Sequence, residues 1–135
     1  HPETTISNVV AYDPSGQWIG SVAKDGSVRV RQKGAPQFEN DLDFKGIPLI
    51  DISFNFDGTV IALLTANNTV ALYQVSLDQG IQKFTGKSGD SVLNIGAAGA
   101  KVAFSPVKDD NRFIIGLKNG FVQFYDILRL VVHRI

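Results

Sequence analysis

The chain has 135 residues, with no cysteine, no methionine, and 13 basic side chains (Lys plus Arg) balanced by 13 acidic ones for a formal charge of zero. That balance provides no field to gather nucleic acid or acidic lipid, and the missing cysteines exclude a disulfide framework, a thiolate nucleophile and a Cys-based zinc site. With 44% hydrophobic residues, nine Phe and thirteen Gly, the composition is that of one mainly β domain, and no apolar run approaches the roughly 20 residues needed to cross a bilayer.

In chain order, the opening HPETTISNVV lacks the charged and apolar regions of a signal peptide. Residues 9–12 alternate as a strand with two distinct faces. They end at the turn Asp13-Pro14-Ser15-Gly16, where Pro sets φ and Gly relaxes the fourth position. Trp18, Ile19, Ser21 and Val22 form a second strand, in which Trp18 is expected to serve core packing; an exposed Trp there would instead mark an interaction hot spot. Asp25-Gly26 reads as a two-residue type I′ hairpin turn leading into a third strand, 28–31. A fourth, more polar strand is placed at 37–44, where Asp41 and Asp43 keep an edge soluble rather than perform acid–base work.

The phrase VVAYDPSGQWIGSVAKDGSVRVRQ (9–32) then returns as DISFNFDGTVIALLTANNTVALYQ (51–74) and KVAFSPVKDDNRFIIGLKNGFVQFYD (101–126). The second copy has its hairpin turn at Asn67-Asn68, its third strand at 70–73 and a fourth at 81–84. SGDSVLNIGAAG (88–99) follows, read as a flexible connection carrying at most a short strand at 92–95. The third copy has its turn at Asn119-Gly120, its third strand at 122–125 and a fourth at 128–135. Asp13, Asn55 and Ser105 correspond, so the offsets are 42 and 50 residues, the second lengthened by that connection. A strand-built period near 40 is the mark of β-propeller blades, here repeats 6–44, 48–85 and 99–135.

Val102-Ala103-Phe104-Ser105-Pro106 and Val122-Gln123-Phe124-Tyr125-Asp126 carry a more specific likeness. With the intervening turn they resemble the WD-repeat family of β-propellers, and the resemblance covers nearly the whole chain. The family's closing Trp-Asp is replaced by Arg31-Gln32, Tyr73-Gln74 and Tyr125-Asp126. No Gly-His precedes a first strand, so the buried Asp, His, Ser/Thr and Trp network of the family is incomplete in every copy. The expected fold is all-β: about three degenerate blades of four antiparallel strands, open or completed by another segment or chain. Val10, Ile52 and Val102, with Tyr12, Phe54 and Phe104, would line blade faces that a neighbour must cover. Burying one such side chain is worth roughly 1.5 to 3 kcal/mol, so an open stack needs company at both ends. The lack of methionine even at position 1, and ends that fall mid-repeat, point to a piece of a larger propeller; closure by oligomerisation is the alternative.

Catalytic signals are thin. His1 and His133 stand near opposite ends of the chain and make no metal site without a partner group; His133 reads as an ordinary strand residue. Asp109-Asp110, between Lys108 and Asn111-Arg112, lacks the ligand spacing of a calcium loop and reads as a solvated turn. GKSGDS (86–91) fails the phosphate-loop pattern, because Ile81 stands where the first Gly should be and no helix follows. Asn67-Asn68-Thr69 matches the N-glycosylation rule, yet its place in a turn is explanation enough.

The remaining candidate is a surface. Loops joining second to third strands, and fourth strands to the next first strand, gather on one side of a propeller, and in the resembled family that side engages proteins or peptides. Lys24, Asp25, Asn67, Asn68, Lys118 and Asn119 would share that rim with Gly46, Ile47 and Pro48. Lys24 and Lys118 are the most pointed candidates, because a turn does not require lysine. The expectation is a non-catalytic protein-interaction scaffold in a multisubunit assembly, with no cofactor, and with other subunits or the remaining blades of a parent chain as partners. Its location would be inside the cell, cytoplasmic or nuclear. The alternatives are a fragment of a propeller enzyme or carbohydrate-binding propeller with its functional residues in other blades, or a short chain that closes a propeller by oligomerising.

Overall fold

The computed structural model describes residues 8–32, 35–76, 80–84, 91–127 and 131–134, with the backbone alone for 8, 35–41, 43 and 131–134. Every regular element among them is a strand, and no helix is long and apolar enough to cross a membrane. The first sheet runs β1 (Asn8–Tyr12), β2 (Trp18–Ala23), β3 (Ser27–Gln32) and β4 (Ala35–Asp43), each strand antiparallel to the last. The second runs β5 (Leu49–Phe54), β6 (Val60–Thr65), β7 (Thr69–Ser76) and β8 (Gly80–Lys83), with β9 (Val92–Asn94) also on β7. The third comprises β10 (Gly99–Phe104), β11 (Arg112–Leu117), β12 (Val122–Asp126) and β13 (Val131–Arg134).

The fourth strands therefore exist; the first two have ends shifted from the expected 37–44 and 81–84, and of the third, expected at 128–135, Val131–Arg134 is described while residues 128–130 and 135 lie outside the described residues. The connection at 88–99 is not simply a spacer. Ser76 to Tyr73 of β7 pair with Gly80 to Lys83, and Ala71 to Thr69 of the same strand pair with Val92 to Asn94. The extra residues thus interrupt the fourth strand of the second sheet and split it into β8 and β9. Residues 95–98 then do what 44–48 do in the first repeat.

The hairpin turns also differ from expectation. A type I′ turn needs positive φ at both central residues. Here Asp25, Asn67 and Asn119 keep negative φ, and only the residue that follows is left-handed: Gly26 at +93°, Asn68 at +61° and Gly120 at +91°. Gly26 N donates to Ala23 O at 3.1 Å, and Gly120 N to Leu117 O at 3.0 Å. These are three-residue loops, a type I turn closed by a left-handed residue. Glycine and asparagine satisfy either geometry, so composition alone did not separate them.

Alternation within the strands decides how the sheets stack. In β5, Ile52 and Phe54 face the first sheet; they pack with Trp18, Val22, Val28 and Val30, all buried. Val102 and Phe104 of β10 repeat this against Val60, Ala62, Leu64, Val70 and Leu72. Phe104 meets Phe113 edge-on at 5.2 Å, and Phe113 stacks on Tyr125 at 5.0 Å. Strand β6 is therefore covered on both faces, and all six residues of VIALLT are buried. The approach is close: a Cβ on Gly20 would fall 2.7 Å from Ile52 Cδ1. At the ends the stack stops. Val10 and Tyr12, in register with Ile52 and Phe54, are 61% and 62% exposed, and Ile114 on the far side of the third sheet is 38% exposed.

One junction also carries polar links. Asp51 and Ser53 of β5 face the third sheet, where Asp51 Oδ2 accepts the Val102 N–H at 2.9 Å and Ser53 Oγ accepts that of Phe104 at 3.0 Å. Asp51 is 4% exposed, and Lys101 Nζ stands 3.8 Å from its carboxylate. Val9 and Ala11 occupy the corresponding places in the first sheet, so the first junction is apolar there. Asp51→Ala should cost about 1–3 kcal/mol by leaving a buried N–H unpaired, and Asp51→Asn distinctly less because an acceptor oxygen is retained. Urea unfolding checks this; equal losses for the two variants would contradict the assignment.

Candidate functional site

Two kinds of corner punctuate each blade. Between first and second strands, the side chain at the turn's start takes up backbone donors. Asp13 accepts from Trp18 N at 2.6 Å and from Ser15 N at 3.1 Å. Asn55 accepts from Thr59 N at 2.9 Å and Val60 N at 3.1 Å, and donates across to Asn111 Oδ1 at 3.2 Å. Both are 2% exposed, so their polarity serves the fold. In the third copy Ser105 holds this position, and Asp110 binds Arg112 by its backbone N–H (3.3 Å) and side chain (2.8 and 3.0 Å).

The opposite side is where the candidate residues lie, and it is built as a chain of pinned loops. Phe44 N donates to Gly26 O at 2.8 Å, which ties the connector 44–48 to the first hairpin loop, and Ala66 N donates to Pro48 O at 2.9 Å, which ties it to the second. Ile95 N on Asn68 O at 2.9 Å and Lys118 N on Ala98 O at 2.9 Å repeat the pattern for the connector 95–98. Loop, connector, loop, connector and loop thus form one continuous rim, each member hydrogen-bonded to the next. Backbone groups do the joining, which leaves side chains available to solvent.

Lys24, Asp25, Asn67, Asn68, Lys118 and Asn119 are all exposed along this rim, as are Gly46 and Pro48, with Ile47 half-buried. Several have local employment. Asp25 Oδ1 accepts from Ser27 N at 2.9 Å and Ser27 Oγ at 2.6 Å, and these bonds lower its pKa. Asn119 Oδ1 accepts the Phe121 N–H at 3.0 Å, and Asn68 supplies the left-handed residue of its loop. By contrast, Lys24 and Lys118 make no side-chain hydrogen bond or ion pair among the described residues.

Elsewhere, Trp18 is 8% exposed and sits between the first two sheets, so its role is packing. His1 and residues 86–90 lie outside the described residues, as do the side chains of Asp41, Asp43 and His133. Among the described residues no group of three or more His, Cys, Asp or Glu could hold a metal ion. The sequence reading passed over Phe121, which is 63% exposed on the rim. The signal was present: Ser27 and Thr69 stand at the matching positions of the other repeats. Phe121 borders a cavity of about 220 Å³ between the connector and the third blade, lined also by Ile95, Gly96 and Ala97 on one side and by Leu117, Asn119, Val122 and Gln123 on the other.

The Arg112 side chain and then Ser105 hydrogen-bond the Asp110 carboxyl and hold it well below the ordinary 3.8; Arg112 is raised in turn by Asp110. A folded value below the unfolded one means that this contribution is complete above pH about 4 and is lost as the pH falls through the folded value. By carboxyl-carbon NMR, Asp110 should remain ionised at pH 3.8, and Arg112→Leu should return its midpoint toward that value. A midpoint at 3.8 in the unaltered protein would contradict the geometry.

No protein-family model matches the sequence, and no curated protein matches it. Solved structures do. The β-propeller domain of Myceliophteria thermophila Cps50 (Swd1) superposes with a TM-score of 0.73 at 16% identity, over 99% of this chain and 39% of that one. The C-terminal WD40 domain of Sif2 gives 0.64 at 24% identity, over 98% of this chain and 35% of that one. The chain spans a little over a third of the length of each. What these likenesses establish is architecture: the three sheets are consecutive blades with the fold of a WD40-type β-propeller.

Proposed function

We propose that the chain is a non-catalytic protein-interaction scaffold, working within a multisubunit assembly, and that the continuous rim carrying Lys24, Asp25, Asn67, Asn68, Lys118 and Asn119 is its contact surface. The observation that carries this reading is the pinning of both connectors between successive hairpin loops. A surface held this way loses little conformational freedom on binding, which is where preorganised recognition gains its affinity. The two lysines add to it: each is exposed, and neither is required by the loop that bears it. The likeness to the propeller domains of Swd1 and Sif2 supports a scaffold of the same build. The bare faces at Val10 and Tyr12 and at Ile114 fit further blades or another subunit beside this chain. An intracellular site, cytoplasmic or nuclear, belongs to the same proposal and rests on the absence of cysteine.

The test uses the intact protein with a photo-crosslinker at Lys24 or Lys118, compared with one at Lys108 at an opposite corner, together with the double reversal Lys24→Glu and Lys118→Glu. The reading predicts a shared protein adduct from the first two positions, none from the third, and at least a tenfold loss of partner recovery on charge reversal, the scale of a contact residue worth more than about 1 kcal/mol. Unchanged recovery would remove the rim from consideration.

A further inference from the structure

We infer that Asn119 is a modification site: the asparagine at which this chain deamidates to aspartate, at a rate set by the opening of the third hairpin loop, with a product that the fold accepts. The inference concerns the loop's own chemistry and holds whether or not the rim is a contact surface. The chain has eight asparagines, and only Asn119 is followed by a glycine; at the other seven the next residue carries a side chain. Deamidation begins when the backbone nitrogen of the following residue attacks the asparagine's carboxamide carbon. A Cβ on that residue crowds the ring as it closes, a hindrance that Gly120 lacks.

As the bond from Gly120 N to Asn119 Cγ forms, the bond from Cγ to Nδ2 breaks, and the amide proton of Gly120 leaves with that nitrogen as ammonia. Water then opens the succinimide at either carbonyl, giving aspartate or, with one more atom in the main chain, isoaspartate. Nothing is oxidised or reduced, and water is the one co-reactant. It has access here: residues 118–120 are exposed, and a Cβ on Gly120 would meet nothing within 4 Å, whereas one on Gly26 of the first loop would fall 3.0 Å from Gly46 N.

Closed, the loop keeps the reacting groups occupied. Gly120 N donates to Leu117 O at 3.0 Å, Asn119 Oδ1 accepts the Phe121 N–H at 3.0 Å, and Leu117 N donates to Phe121 O at 2.9 Å. The attacking nitrogen is held by one bond and the carboxamide by another, so the loop must open before the ring can form. Opening it costs less than unfolding the blade. Among the described residues the third loop is tied to a connector through Lys118 N and Ala98 O, whereas the second is tied on both sides, through Ala66 N and through Asn68 O.

The first loop shows what the product becomes. Lys24-Asp25-Gly26 and Lys118-Asn119-Gly120 differ in one residue, and the conversion removes that difference. Their geometry already agrees: Gly26 and Gly120 have φ of +93° and +91°, and Gly26 N donates to Ala23 O at 3.1 Å as Gly120 N does to Leu117 O. Asp25 Oδ1 accepts the Ser27 N–H at 2.9 Å, as Asn119 Oδ1 accepts that of Phe121. A carboxylate at position 119 therefore keeps the bond that the carboxamide oxygen makes, although Phe121 has no hydroxyl to supply the second bond that Ser27 Oγ gives Asp25. The loop retains its shape and gains a negative charge beside Lys118.

The test incubates the full chain, its Asn119→Asp variant and a blocked peptide of residues 117–123 in mildly alkaline buffer, and locates the exchange of NH2 for OH by peptide mapping and mass spectrometry. Asn119 should convert before any other asparagine of the folded chain. It should do so more slowly than in the peptide by roughly tenfold or more, the factor given by a loop that costs about 1.4 kcal/mol or more to open. Urea sufficient to unfold the chain should raise its rate to that of the peptide. Asn119→Asp should unfold thermally at the same midpoint as the unaltered protein. Conversion first at another asparagine, none at Asn119, equal rates in the folded chain and the peptide, or a lowered midpoint for Asn119→Asp would overturn the inference.

Discussion

A four-stranded sheet with apolar side chains on both faces cannot sit alone in water, and that constraint organises this molecule. Each blade solves half of it by sending two large residues of its first strand into the blade before. Ile52 and Phe54 do so at one junction and Val102 and Phe104 at the next. The receiving face is kept low at its centre, by Gly20 in the first sheet and Ala62 in the second. Overpacking such a site typically costs about 1–3 kcal/mol, which is why the alternation of large and small side chains recurs with the repeat. The middle sheet, covered twice, has the most uniformly buried strand. The outer two keep one face open, and the third carries Ile114 where its predecessors have Gly20 and Ala62, so its open face is shaped differently from the faces that receive Ile52 and Phe54 or Val102 and Phe104.

Stacking also explains the rim. Once neighbouring sheets are fixed face to face, the connector from one to the next must cross between two hairpin loops, and its backbone groups find partners in both. The loops thereby lose the independence that surface loops usually have. Side chains such as Lys24, Lys118 and Phe121 are displayed from a support they do not help to build. On the opposite side the corner residues Asp13 and Asn55 are buried and spent on the fold. The two sides of the same blades therefore have different freedom to carry function.

Much of this was legible in the residues. Alternation placed the first three strands of every blade, and Asp13-Pro14-Ser15-Gly16 marked its corner. The faces that stay open at Val10 and Tyr12 follow from counting three repeats. What escaped was set by contacts the local sequence does not encode. The short strand expected at 92–95 exists as Val92–Asn94, but its place on β7, as the continuation of an interrupted fourth strand, depends on a free edge that the local sequence does not reveal. Of the two positive-φ residues that a type I′ turn requires, only the second in each loop is left-handed, because a type I turn closed by one such residue and a type I′ turn draw on the same residues. Asp51 bonds a partner 51 residues away, a link no period reveals. Phe121 was visible as an anomaly against Ser27 and Thr69, but it falls between the turn Asn119-Gly120 and the strand expected at 122–125 and was assigned no role.

Native-state amide exchange tests the central claim most directly, because it reads stacking and pinning in one experiment. The account predicts that the amides of β6 exchange only through global opening. It predicts that Phe44, Ala66, Ile95 and Lys118 are protected although they belong to loops, and that β1, open on one face, exchanges sooner. Exchange of β6 as fast as exposed turn amides, or no protection at the four pinned positions, would contradict it.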